Sequence, residues 1–231
     1  MADFQEQAMG ITGLTIDASS TTPSRAEFST FLNDGVMDVT HRWLAVRPQD
    51  ILYFQRESSI TDSNSGLNVG GAKIVSVIRE AGADGSSDGS TAWRQCRQIA
   101  AGQQSRVVDI DSLSYASQYN PAYIIDDNGT VNVYPTPSSN NGYRVFYVNN
   151  APEETDGTAL DHASTGIKYF PKDKVYLVIM YAAMKSLEAK IAEYTIEEED
   201  LELVQGLSAS LASLRQEYDA AFAIAAPRPA Q

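Results

Sequence analysis

The chain has 231 residues, of which 43% are hydrophobic and 20% charged, and its formal net charge is -13. Acid in that excess excludes a protein that grips nucleic acid through clustered Lys and Arg, but it suits a surface past which DNA slides without docking. A chain of this length makes one large domain or two small ones, burying roughly 70% of its unfolded surface.

Cys96 is the single cysteine, so no intrachain disulfide forms. The opening residues lack the basic stretch and apolar run of a signal peptide. The longest apolar run, Val175 to Ala183, is far short of the roughly 20 residues that cross a bilayer. Synthesis in the cytoplasm and no membrane partner are the expectations.

Residues 1–23 are polar and small, with Ile11, Leu14 and Ile16 to bury, and read as an extended arm. Ser24-Arg25-Ala26-Glu27 has the form of a capping box. Phe28, Phe31, Leu32, Val36, Val39, Trp43 and Val46 follow at helical spacing until Pro48 ends the run.

From 49 to 150 the period changes to that of strands. Ile51-Leu52-Tyr53-Phe54 and Lys73 to Arg79 read as strands, punctuated by Gly70-Gly71. The Gly-, Ser- and Asp-rich stretch 81–90 reads as a mobile loop. Tyr123 to Asp126 and Thr130 to Tyr134 flank Asp127-Asn128-Gly129, where Asn-Gly supplies the positive φ of a tight hairpin turn. Tyr143 to Val148 follows the turn-forming 138–142 as a third strand. The expected arrangement is an antiparallel meander in a small sandwich or barrel.

Residues 151–166 read as a polar linker, after which Pro171 opens a helix whose face is Val175, Val178, Tyr181, Met184, Leu187, Ile191 and Tyr194. The acidic stretch Ile196 to Asp200 separates it from a last helix striped by Leu201, Val204, Leu207, Leu211, Leu214, Tyr218 and Phe222. The two helices should form an antiparallel hairpin, and 223–231 a flexible tail. The fold class is therefore α+β: a helical bundle from 24–48 and 167–222, with a β-rich insertion at 49–150 and no internal repeat.

Few residues offer chemistry. His41 lies within the first helix and His162 in the linker, each without a companion at metal-ligand spacing. Cys96 sits in sequence beside Arg94 and Arg97, which would lower a thiol pKa, but no histidine base is placed near it. The carboxylates of Asp84 and Asp88, and of Asp109 and Asp111, do not follow the calcium-loop pattern. Gly66 to Gly71 lacks both phosphate-cradling glycine motifs, and no Gly-x-Ser-x-Gly turn is present. These features predict no enzyme, metal or cofactor.

The acidic run Glu197, Glu198, Glu199, Asp200 and Glu202 suits the positive end of the last helix's dipole. Its functional alternative is an acidic lining for a DNA channel, with Glu197, Glu198, Glu199 and Asp200 facing the lumen.

An early amphipathic helix precedes Trp93-Arg94-Gln95-Cys96-Arg97-Gln98-Ile99. Then come the Pro121-Ala122-Tyr123-Ile124-Ile125 and Val131 to Pro137 hairpin, and Arg144 to Pro152. The helix from Tyr169 to Leu187 and a long terminal helix complete the layout, and this order of parts, over roughly 24–222, resembles the head-to-tail adaptor, or neck, proteins of tailed bacteriophages. The resemblance implies a non-enzymatic virion protein that forms a ring, expected to be a dodecamer, between the portal and a downstream tail or nozzle protein. Genomic DNA passes through such a ring without specific binding. It also implies a portal-docking C-terminal segment, here Phe222, Ile224, Pro227, Arg228 and Pro229. The virion neck, and the host cytoplasm during assembly, are the implied locations.

Two other readings stand beside it. Tyr134, Tyr143, Phe146 and Tyr147 are aromatic strand residues of a kind that line sugar sites, so a tail or host-attachment β module binding a surface glycan is the alternative. A hydrolase is the third reading, without a recognisable nucleophile or metal set.

Overall fold

The computed structural model describes residues 2–62, 65–81, 92–126, 129–138, 141–197 and 201–225, with the backbone alone at 197, 201, 224 and 225. The elements in chain order are α1 (Phe4–Thr12), α2 (Arg25–Val46), β1 (Gln55–Glu57), β2 (Leu67–Asn68), β3 (Ile74–Glu80), β4 (Trp93–Gln95) and β5 (Arg97–Gln98). They continue with α3 (Gln104–Val108), β6 (Ala122–Ile125), β7 (Thr130–Tyr134), β8 (Tyr143–Val148), α4 (Val175–Glu197) and α5 (Leu201–Ala225). The fold is α+β, and the chain divides into two compact units: residues 1–54 with 151–231, and residues 55–150.

The helical unit is built around α4, which packs against α1, α2 and α5. The capping box of α2 forms: Ser24 Oγ accepts from the Glu27 N–H at 3.3 Å, and Glu27 Oε2 accepts from the Ser24 N–H at 2.8 Å. Helix α2 stops two residues ahead of Pro48, with Phe28, Leu32, Val36, Val39 and Trp43 buried along its predicted face. At Gly35 a Cβ would stand 3.2 Å from the Val178 carbonyl oxygen, so the backbones of α2 and α4 approach closely there.

The predicted single face of α4 is too narrow. Leu177, Ile179, Ala182, Ala183 and Ser186 are buried as well as Val178, Met184 and Leu187, because three neighbouring helices surround the element. Buried Ser186 satisfies its hydroxyl by donating to the Ala182 carbonyl. Helix α5 returns antiparallel to α4: the Tyr181 ring is tilted against that of Tyr218, while Glu188 pairs with Arg215 nearer the turn. Its stripe is as spaced, with Leu211, Tyr218 and Phe222 buried and Val204, Leu207 and Leu214 half-buried.

Four expectations for this unit are corrected. The extended N-terminal arm is instead a helix, α1, capped by Asp3 Oδ1 on the Glu6 N–H at 2.7 Å and ended by Gly13 at φ 69°. Phe4, Ala8 and Ile16 are buried, and the Phe4 N–H donates to the Ser164 carbonyl at 3.0 Å. So short a helix is held by tertiary packing rather than by propensity, and its apolar positions are too sparse to announce it.

The strand expected at 51–54 is the end of a 3-10 helix, Pro48–Phe54. Phe54 is its buried residue, edge-on to Phe170 with ring centroids 5.3 Å apart, and a four-residue apolar run has no period to distinguish the two states. The polar linker is partly interior, with Leu160 and Ser164 buried. The last helix also runs beyond Phe222 to Ala225.

In the β unit the described strands form two four-stranded sheets, β1-β8-β3-β4 and β2-β7-β6-β5. The β6–β7 hairpin has the expected antiparallel register, Tyr123 opposite Val133, and Gly129 carries the positive φ of 71°. Asp127 and Asn128, most of the 81–90 loop, and Ser139 and Asn140 lie outside the described residues.

The simple meander is not what forms. Strand β8 leaves β7 and pairs antiparallel with β1 and β3 in the other sheet. The segment 93–98 also changes sheet: β4 pairs with β3, then β5 pairs parallel with β6, and the Cys96 N–H between them donates to the Val77 carbonyl at 2.8 Å. Val77, Cys96, Tyr143 and Val145 from one side meet Tyr123, Val131 and Val133 from the other in a shared core, so the unit is a sandwich. Ala122 and Ile124 face a second, smaller core with Ile99, Val107 and Ala116, which explains why β6 reads as a continuous apolar run.

Candidate functional site

The residues singled out for chemistry are not brought together. His41 is exposed on α2. His162 contributes its backbone, the N–H donating to Ser29 Oγ and the carbonyl accepting from the Gln5 N–H. Asp109 Oδ1 accepts from the Asp111 N–H at 3.1 Å, a turn-stabilising bond, while Asp84 and Asp88 lie outside the described residues. Among the described residues no group of three or more His, Cys, Asp or Glu could hold a metal ion.

Cys96 is 4% exposed, and burial pushes its thiol up to about 12 against the opposing charge of Arg79. Its neighbours in sequence do not act on it as expected: Arg94 is exposed and Arg97 donates to the Ser114 carbonyl. A thiol held protonated is a poor nucleophile, and the cause is desolvation.

Of the segment expected to dock a portal, Phe222 is part of the bundle core, 8% exposed and tilted against Trp43 at 6.2 Å between ring centroids. The Ile224 side chain, Pro227, Arg228 and Pro229 lie outside the described residues. So do the Glu197 side chain, Glu198, Glu199 and Asp200 of the expected lumen lining.

Beside Phe222 the α2–α5 contact carries a polar cluster that spacing alone did not reveal. The Tyr218 hydroxyl donates to Asp38 Oδ2, and Arg42 pairs with Asp38 at 2.9 Å and with Asp219 at 3.1 Å. The Arg42 guanidinium also lies 5.4 Å from the Tyr218 ring centroid and 5.8 Å from that of Phe222. Burial and the Asp38 carboxylate both push the Tyr218 hydroxyl pKa upward.

The four aromatic strand residues do not make one platform. Tyr143 is fully buried with its hydroxyl donating to the Val131 carbonyl, Tyr147 packs on the inter-sheet core, and Tyr134 packs on the other core. Phe146 is half-buried on the alternate face of β8.

A different set of residues lines a cavity of about 340 Å³ in the β unit: Arg79, Tyr115, Ser117, Gln118, Tyr119, Pro135 and Asn141. Arg79, 4% exposed, is fixed by Nε donating to the Pro135 carbonyl at 3.0 Å and Nη1 donating to the Glu80 carbonyl at 2.8 Å. Burial lowers its pKa, and the neighbouring Cys96 and Glu80 side chains oppose that. Glu80 is 1% exposed; its Oε2 accepts from the Gly142 N–H at 3.0 Å and its Oε1 has no hydrogen-bond partner among the described residues. The legible sign was strand alternation, which puts Arg79 on the inward face of β3 with Val77.

The sequence matches no protein-family model, and no curated protein is similar to it. Among the described residues no helix is long and apolar enough to cross a membrane.

Proposed function

We propose that this chain is a head-to-tail adaptor of a tailed bacteriophage. In this reading it is a structural, non-enzymatic protein of the virion neck, assembled as a ring that is a dodecamer on the portal. Its partners are the portal, a downstream tail or nozzle protein, other copies of itself, and the genome that passes through the ring.

The observation that carries this reading is the layout of the chain. Both ends, residues 1–54 and 151–231, build one helical unit, and the β sandwich is inserted between them. That is the arrangement the resemblance implies, with the C-terminal helix tied into the bundle by Tyr218 and Phe222, which gives the segment after Ala225 a fixed base. The net charge of -13 suits a conduit that must not bind the polyanion inside it.

The decisive experiment is negative-stain electron microscopy of this protein co-expressed with the portal encoded by the same phage. A portal bearing an added collar of this subunit supports the adaptor reading. A portal without added density, when both proteins are folded, rejects the portal-proximal position.

A further inference from the structure

We propose that the β unit carries a binding site for a neutral saccharide, seated in the cavity at Arg79. The site stands on the lining of that cavity alone, independently of the adaptor reading. Its volume of about 340 Å³ falls in the range of small-ligand pockets.

Arg79 is set in place before any ligand arrives. Two backbone carbonyls hold Nε and Nη1, so binding at the remaining N–H groups costs little side-chain ordering. Nη2 has no hydrogen-bond partner among the described residues.

The side chains that share the cavity with Arg79 are uncharged, and Glu80, the next residue along β3, is held on the Gly142 N–H and does not line it. The other polar walls are Ser117, Gln118 and Asn141, each of which both donates and accepts. Sugar hydroxyls do the same, whereas a carboxylate only accepts. Tyr115 and Tyr119 add aromatic rings, and Tyr119 is 63% exposed, free to lie against the C–H face of a pyranose.

Saturation-transfer NMR on the full chain tests this, with glucose, galactose, mannose and N-acetylglucosamine as probes and acetate as the anionic control. The expected result is transfer to the ring protons of at least one sugar. Tyr119→Ala and Gln118→Ala should each weaken that binding about tenfold or more with an unchanged unfolding midpoint, since Tyr119 is largely exposed and Gln118 partly so. Binding to none of the four sugars overturns the proposal. So does sugar binding that both variants leave intact, and so does displacement of the sugar by acetate, which would mark an anion site. Arg79→Lys supplies an independent check, because it keeps the charge but loses the fork, and it should abolish transfer in protein whose circular dichroism is unaltered.

Discussion

Tyr218 and Asp38, 180 residues apart in the chain, meet at 2.6 Å between hydroxyl and carboxylate oxygens. This bond joins the C-terminal helix to α2, and Arg42 braces it from the same side by pairing with both Asp38 and Asp219. A part-buried, charge-assisted hydrogen bond is among the stronger polar contacts a bundle can make.

Tyr218→Phe removes the hydroxyl and keeps the ring packing against Phe222, so it should cost about 1.5–3 kcal/mol in urea unfolding. Asp38→Asn should act in the same direction. The double variant should lose less than the sum of the two, and strict additivity would mean that the bond contributes nothing in solution.

Truncation separates the helical core from the C-terminal tail. Deleting 226–231 should leave the unfolding transition unchanged while weakening attachment to the portal, read as loss of the collar in electron micrographs. Deleting 222–231 also removes Phe222 and should destabilise the bundle by about 3–5 kcal/mol. Full collar occupancy after the shorter deletion would remove the docking role of the tail.

Along α5, Leu211→Ala should cost about 2–5 kcal/mol, because Leu211 is buried against the hairpin. Leu214 is half-buried, and its truncation should cost less than that of Leu211. Equal losses would contradict the orientation of the helix.

At the other end of the chain, Phe4→Ala should destabilise by about 3–5 kcal/mol, a result no free arm would give. Ile11, on the same helix but 43% exposed, is the control: Ile11→Ala should stay within about 0.5 kcal/mol. Thermal unfolding of the two variants side by side decides it.

Alkaline pH should weaken the β unit. Burial holds the Cys96 thiol and the Tyr143 hydroxyl each up at about 12, above their ordinary values of 9.0 and 10.0. The unfolded chain therefore releases these protons first, and the stability each contributes is fully present below its ordinary value and lost as pH rises toward about 12. Cys96→Ala should remove the part of this loss that starts near 9.0, seen as a flatter stability profile between the two ordinary values.

Much of the fold was legible because period and punctuation act locally. The Ser24–Glu27 box and Pro48 bracket α2, the three-and-four spacing from Val204 to Phe222 orients α5, and Gly129 marks the hairpin turn. These signals depend on a few neighbouring residues and on the geometry of one element. Helix α1 was missed for the opposite reason, since Phe4 and Ala8 mean little until α4 offers a surface to cover them.

By itself the sequence determined the α+β class, the helical hairpin, the acidic balance and the lone cysteine. Only the tertiary structure decided that β8 joins β3 instead of extending the hairpin, that Phe222 belongs to the core, and that Arg79, Tyr119 and Asn141 share one cavity. Each of those outcomes depends on groups distant in the chain competing for the same partner. Burial and pairing settle that competition between whole elements, and periodicity within one element carries no record of it.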